Sequence, residues 1–131
     1  MRIDFKPGNM LYPVPVVMVS CADSEGRSDI VTVAWTGTIC TNPPMVYISL
    51  RPSRYSYDII KKSGEFVINL TNEKLAKIAD ECCVKSGRDI DKWKVLKIEQ
   101  LPSKVVAASS IKESPVCIEC KVEDIIELGS H

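Results

Sequence analysis

Arg51, Ser53, Arg54, Tyr55 and Ser56 bring guanidinium groups, hydroxyls and a phenol into one short stretch, directly after the apolar run Met45 to Leu50. Guanidinium and hydroxyl donors match the geometry in which phosphate oxygens accept hydrogen bonds. Ser53 is a good N-cap, and a helix starting after it would add unpaired backbone N–H groups and a positive dipole end at the same place. Upstream, Trp35, Thr36, Gly37 and Thr38 offer a flat apolar face, two hydroxyls and a backbone that can be approached closely. The whole segment, VAWTGTICTNPPMVYISLRPSRYSY from Val33 to Tyr57, therefore suits a flat, phosphorylated cofactor. A capped helix with solvated arginines, and a tryptophan that is simply core, are the plainer readings of the same residues.

The elements that must position these groups are legible from periodicity. Strands are expected over Val14 to Cys21, Ile30 to Thr36, Met45 to Leu50 and Phe66 to Leu70, where β-branched residues are bounded by turn residues. A first helix should run from the Ser53 cap to Gly64. Leu75, Ile78, Ala79 and Cys82 follow helical spacing, so a second helix is expected after a Thr71 or Asn72 cap, ending near Val84. Lys85 to Trp93, KSGRDIDKW, is a polar loop of the kind that often carries function. From Val116 the chain alternates, with Val116, Ile118, Cys120 and Val122 on one face and Glu119, Lys121 and Glu123 on the other. Ile125 to Leu128 again reads as strand before Gly129, Ser130 and His131, as though a domain were cut short, although Gly-Ser-His also reads as a tail left by cloning.

A chain of 131 residues is expected to form one domain, residues 1–131, with a sizeable core. Its 17 basic and 17 acidic residues cancel, which recommends neither nucleic acid nor an anionic membrane as partner. No stretch has the length and apolarity of a membrane span or a secretory signal, so a cytoplasmic location is expected. The cysteines at 21, 40, 82, 83, 117 and 120 lie mostly within apolar patterns and read as buried thiols. Cys117 and Cys120, three apart in a strand, point to opposite faces and cannot share a metal, so no metal site is expected. Asn69-Leu70-Thr71 matches a glycosylation sequon and reads as accidental.

Flavin mononucleotide (FMN) would make three physical demands. Its phosphate needs cations and N–H or O–H donors, for which Arg51, Ser53, Arg54 and Ser56 are candidates. Its ring needs an apolar surface, for which Trp35 to Thr38 are candidates. Negative charge developing around N1 and O2 needs a cation or N–H group, and Lys92 and His131 are candidates. Lys92 in a polar loop and a lone His131 also read as solvated.

These features together resemble the flavin reductase-like, FMN-binding split-barrel family, in particular its flavoredoxin branch. The resemblance rests on Pro13-Val14-Pro15-Val16-Val17, on the Val33 to Tyr57 segment, on GEFVINL at Gly64 to Leu70, on SGRDIDKW at Ser86 to Trp93 and on ELGSH at Glu127 to His131. It implies a mainly β fold with two helices, a Greek-key split β-barrel, which this chain would carry in C-terminally truncated form. It implies Trp35, Thr36, Gly37 and Thr38 beside the flavin ring, and Arg51, Ser53, Arg54, Tyr55 and Ser56 around the phosphate and ribityl chain. Lys92 matches a phosphate- or flavin-contacting lysine, and His131 a histidine near the flavin and nicotinamide, the one residue with a catalytic role. Asp29 occupies a position that is Asn in the flavoredoxin branch, where a carboxylate would repel phosphate or reduced flavin.

The activity implied is that of an FMN-dependent oxidoreductase, working as a homodimer, that takes hydride from NAD(P)H or passes electrons through the flavin. A flavoredoxin-type carrier served by a redox protein partner, without NAD(P)H activity, is the alternative. A cofactor-free interaction fragment is the third. No Gly-x-Gly-x-x-Gly fingerprint is present, so a nicotinamide would have to meet the flavin without a Rossmann motif.

Overall fold

The computed structural model describes residues 1–131. In chain order the elements are β1 (Val17–Ala22), β2 (Ser28–Val33), β3 (Thr36–Cys40), β4 (Met45–Ile48), α1 (Tyr55–Ser63), β5 (Glu65–Leu70), a 3₁₀ turn (Glu73–Leu75), α2 (Ala76–Val84), α3 (Lys92–Val95), β6 (Gln100–Leu101), β7 (Ser110–Ile111) and β8 (Cys117–Lys121). A four-stranded antiparallel sheet has the order β2-β1-β5-β8, while β3-β4 and β6-β7 form separate two-stranded ribbons.

The main sheet is covered on both faces, which is why β1 is a near-continuous apolar run. Val17, Val19 and Cys21 point to one side, where Val31, Val33, Phe66 and Ile68 meet Ile59 and Ile60 of α1. Met18 and Ile30 point to the other, against Leu75, Ala79 and Cys82 and the more distant Trp93, Ile98 and Ile111. Asn69 is fully buried there, with its amide nitrogen donating to the Met18 carbonyl at 2.9 Å and its amide oxygen accepting from the Ile111 N–H at 2.9 Å. The sequon asparagine is therefore a core hydrogen-bonding residue. Cys120 packs with the α1-side cluster and Cys117 with Val67, Val106 and Ala108, so the two thiols occupy different sides of β8.

Several expectations from sequence are corrected. There are three helices rather than two, because Asp91 caps a short α3 by accepting from the Lys94 N–H, and Trp93 is buried. α1 begins after Arg54, not after Ser53. Pro52 sits at the second position of a turn closed by the Arg54 N–H to the Arg51 carbonyl at 3.0 Å, which delays the helix. The helix ends as expected at Gly64, which takes the left-handed conformation at φ 71°. The expected strand from Ile30 to Thr36 breaks at Ala34 and Trp35, where the chain leaves the main sheet to form the β3-β4 ribbon. Val14 to Val16 precede the first strand, and Ile125 to Leu128 form no strand but run exposed.

Candidate functional site

The β3-β4 ribbon brings the two candidate clusters to one place. Thr36 pairs with Ile48, and the Trp35 carbonyl accepts from the Ser49 N–H at 2.8 Å. Trp35 therefore enters the ribbon at the same open end from which the chain leaves toward Arg51 and the start of α1. The indole of Trp35, 39% exposed, lies against the imidazole of His131, with ring centroids 4.6 Å apart and planes inclined by 40°. Thr36 is anchored by its hydroxyl to the Tyr47 carbonyl at 2.7 Å, and Thr38 is exposed. Gly37 serves its ribbon partner: a Cβ there would stand 3.0 Å from the Tyr47 ring, so the space that glycine leaves is taken by tyrosine on that side.

Beyond the open end lies a polar cleft of about 350 Å³. Arg51, Ser53, Arg54 and Tyr55 form one wall, Lys85, Ser86, Gly87 and Arg88 the other, and Asp29, Val31 and Lys92 also line it. The first-turn backbone of α1 contributes here, since its cap is Arg54 and no side chain satisfies the N-terminal N–H groups. Arg54 is braced by donating to the Cys83 carbonyl at 2.9 Å, and Arg88 by donating to the Ser53 carbonyl at 2.8 Å while lying over the Tyr55 ring. Gly87 is required by close packing. A Cβ at that position would come within 2.5 Å of both Asp29 Oδ1 and Tyr55 Cδ1.

Ser56 and Lys92 are placed differently from expectation. Ser56 is fully buried and its hydroxyl donates to Asp29 Oδ2 at 2.6 Å, so it supports the cleft from behind instead of facing an anion. The Lys92 ammonium is 3% exposed and donates to the Ile30 carbonyl at 2.5 Å and the Cys82 carbonyl at 3.1 Å, with Asp29 Oδ1 at 3.4 Å. Asp29 thus pairs with the lysine beneath the cleft. Nearby, burial pushes the Cys21 thiol up to about 12 and the Cys82 thiol up to about 11, so both remain protonated and neither is a nucleophile at neutral pH.

Lys85, Ser86, Gly87 and Arg88 join the site from a loop whose individual residues gave no periodic signal. The pointers in sequence were the loop's polarity, its glycine and the SGRDIDKW stretch of the family resemblance, none of which singled out these four residues.

A cleft rich in cations at a helix start agrees with the comparison against protein families, in which the flavin reductase like domain matches residues 9–131. The chain belongs to that family. Among solved structures, this flavin reductase-like domain superposes on the flavoredoxin of Desulfovibrio vulgaris (Miyazaki F) with a TM-score of 0.91 and 31% identity, over 97% of this chain and 69% of that one. An uncharacterized protein of Pyrococcus abyssi is 30% identical over 93% of this chain and 69% of its own length. One of Aeropyrum pernix is 30% identical over 93% of this chain but only 46% of its own length. The chain thus spans between about half and two thirds of these relatives. Its fold is the split β-barrel of the family, mainly β with three helices.

Proposed function

We propose that this flavin reductase-like domain binds FMN and works as a flavin-dependent oxidoreductase. The observation that carries the reading is the cleft, where Arg51, Arg54, Lys85 and Arg88 surround the start of α1 at the same end of the ribbon as the Trp35-His131 pair. A phosphorylated flavin fits this donor set: a phosphate is held by guanidinium groups and helix N–H groups, while the ring takes the apolar surface around Trp35. FMN, when bound, supplies the hydride and electron transfer chemistry that no side chain here provides. Arg51, Ser53 and Arg54 would hold the phosphate from one wall and Arg88 from the other. Tyr55 would support Arg88. Trp35, Thr36, Gly37 and Thr38 would line the ring, and His131 would fix the Trp35 face.

NAD(P)H is the proposed hydride donor, following the resemblance to flavin reductases. The likeness to a flavoredoxin favours a second reading, an electron carrier reduced by a redox protein partner. Exposed Ile39 and Tyr47 on the ribbon, with Ile118, Ile126 and Leu128, leave apolar surface that a second copy would cover, and a homodimer is the corresponding proposal. Sedimentation velocity tests it, with a monomer at all concentrations as the contrary result.

The test of the cofactor is titration of the purified protein with FMN and with riboflavin, together with identification of any chromophore released on denaturation. FMN should bind with quenching of its fluorescence, and Arg51→Ala should weaken FMN by about 1.5–3 kcal/mol while leaving riboflavin unchanged. Failure to bind FMN in excess removes the reading. Steady-state oxidation of NADH and NADPH then separates the two donors, since a carrier consumes neither.

A further inference from the structure

We propose that Asp29 attenuates the anion affinity of the cleft: its buried carboxylate cancels the charge of Lys92 beneath the phosphate position, and a neutral isostere there makes the cleft bind anions more tightly. The inference rests on reading the cleft as a phosphate site.

Among the residues lining the cleft, Asp29 is the one carboxylate amid arginines and lysines. It is 2% exposed, and its partner Lys92 is 3% exposed. Charges so buried are poorly screened by water and salt, so each acts on a neighbouring anion more strongly than an exposed side chain at the same distance. Lys92 alone would make the floor of the cleft strongly positive. Asp29 Oδ1, 3.4 Å from its ammonium, removes that excess.

Two backbone carbonyls hold Lys92 in place alongside the carboxylate. The ammonium has three donors, and two are committed to the Ile30 and Cys82 carbonyls. The hydrogen bonds do not require the negative charge, because Asp29 Oδ2 accepts from Ser56, which an amide oxygen can also do, while Oδ1 accepts no hydrogen bond; what the charge supplies is the counter-ion of buried Lys92, so a neutral isostere is expected to lower stability. The charge of Asp29 is thus separable from its shape. A group that lines a binding cleft, opposes its ligand and is not demanded by packing sets how weakly the ligand is held. For a domain that must exchange or release a phosphorylated flavin, such moderation keeps the off-rate high.

The variants Asp29→Asn, Lys92→Met and the double variant test this, with FMN, riboflavin and inorganic phosphate as probes, in titrations at low and high salt; thermal unfolding confirms that each variant is folded. Asp29→Asn should bind FMN and inorganic phosphate about tenfold more tightly at low salt, the effect of removing one poorly screened charge several ångströms from the ligand. Riboflavin should be unaffected, and Lys92→Met should weaken both anions. The double variant, which restores the original net charge, should return to near the parent affinity; a purely structural pair would give two losses that do not cancel. Unchanged or weaker anion binding by Asp29→Asn overturns the proposal, as does equal tightening of riboflavin or no phosphate binding by any form. If inorganic phosphate tightens as expected while FMN binds to no form, the attenuation stands and the flavin assignment falls.

Discussion

The imidazole of His131 lies against the indole of Trp35 with centroids 4.6 Å apart, so residues nearly one hundred positions apart in sequence build one aromatic surface beside the ribbon's open end. That surface carries no net charge requirement, whereas the cleft next to it is lined chiefly by cations. The two halves of the site should therefore respond independently to the two halves of a flavin.

Trp35→Ala is expected to weaken FMN and riboflavin equally, by about 1 kcal/mol for loss of an aromatic packing partner. His131→Ala should act in the same direction and on both ligands, because it unseats the indole without touching the cleft. Parallel fluorescence titrations give the measurement. A loss confined to FMN would place Trp35 with the phosphate instead.

Ser56→Ala is expected to affect the fold more than the ligand. The hydroxyl donates to Asp29 Oδ2 in the buried interior, and its removal leaves that oxygen without its donor, at a cost of about 1–3 kcal/mol. Urea unfolding should show this loss while FMN affinity, measured on the folded variant, changes little. A large selective loss of FMN with unaltered stability would return Ser56 to the phosphate.

The contrast between Ser53 and Ser56 marks what sequence conveyed. β1, β2, β4 and β5 were legible because β-forming residues sit between turn residues, β8 because its apolar and polar residues alternate, α1 because of its end signals, above all Gly64, and α2 because its apolar residues recur at helical spacing. The start of α1 was misplaced because Pro52 makes a turn that competes with capping by Ser53, and local propensity cannot rank the two. β6 and β7, two residues each, have no periodicity to read. The Arg51 to Tyr55 wall was legible as a cluster in the chain. The facing wall was not, because Gly87 and Arg88 reach it through packing against Asp29 and Tyr55, contacts that only tertiary structure creates.

Gly87→Ala should open that second wall. The added methyl would stand 2.5 Å from Asp29 Oδ1 and Tyr55 Cδ1, and neither neighbour is free to yield: Asp29 is buried and Tyr55 lies under Arg88. Overpacking of this kind costs about 1–3 kcal/mol. Displacement of the loop would also carry Arg88 away from Ser53, so FMN affinity should fall while riboflavin affinity changes less. Combining Gly87→Ala with Arg88→Ala should add little further loss of FMN if the two act through the same wall.

The buried thiols give a prediction for alkaline pH. Burial raises Cys21 from its ordinary 9.0 to about 12, and Cys82 to about 11. Both groups hold their protons more tightly in the folded state, so the stability they contribute is fully present below the unfolded value and is lost as pH rises through the folded values. Between about 9 and 12 the unfolded chain has released protons that the folded chain retains, and the unfolding free energy must fall with pH. Urea unfolding across that window should show the decline, and Cys21→Ala should make it shallower by removing the group with the larger shift. In the same window, a thiol reagent should modify Cys83 and Cys40, which are half-buried, well before Cys21 and Cys82. Reaction of Cys21 in the folded protein at neutral pH would contradict its burial beneath the cleft.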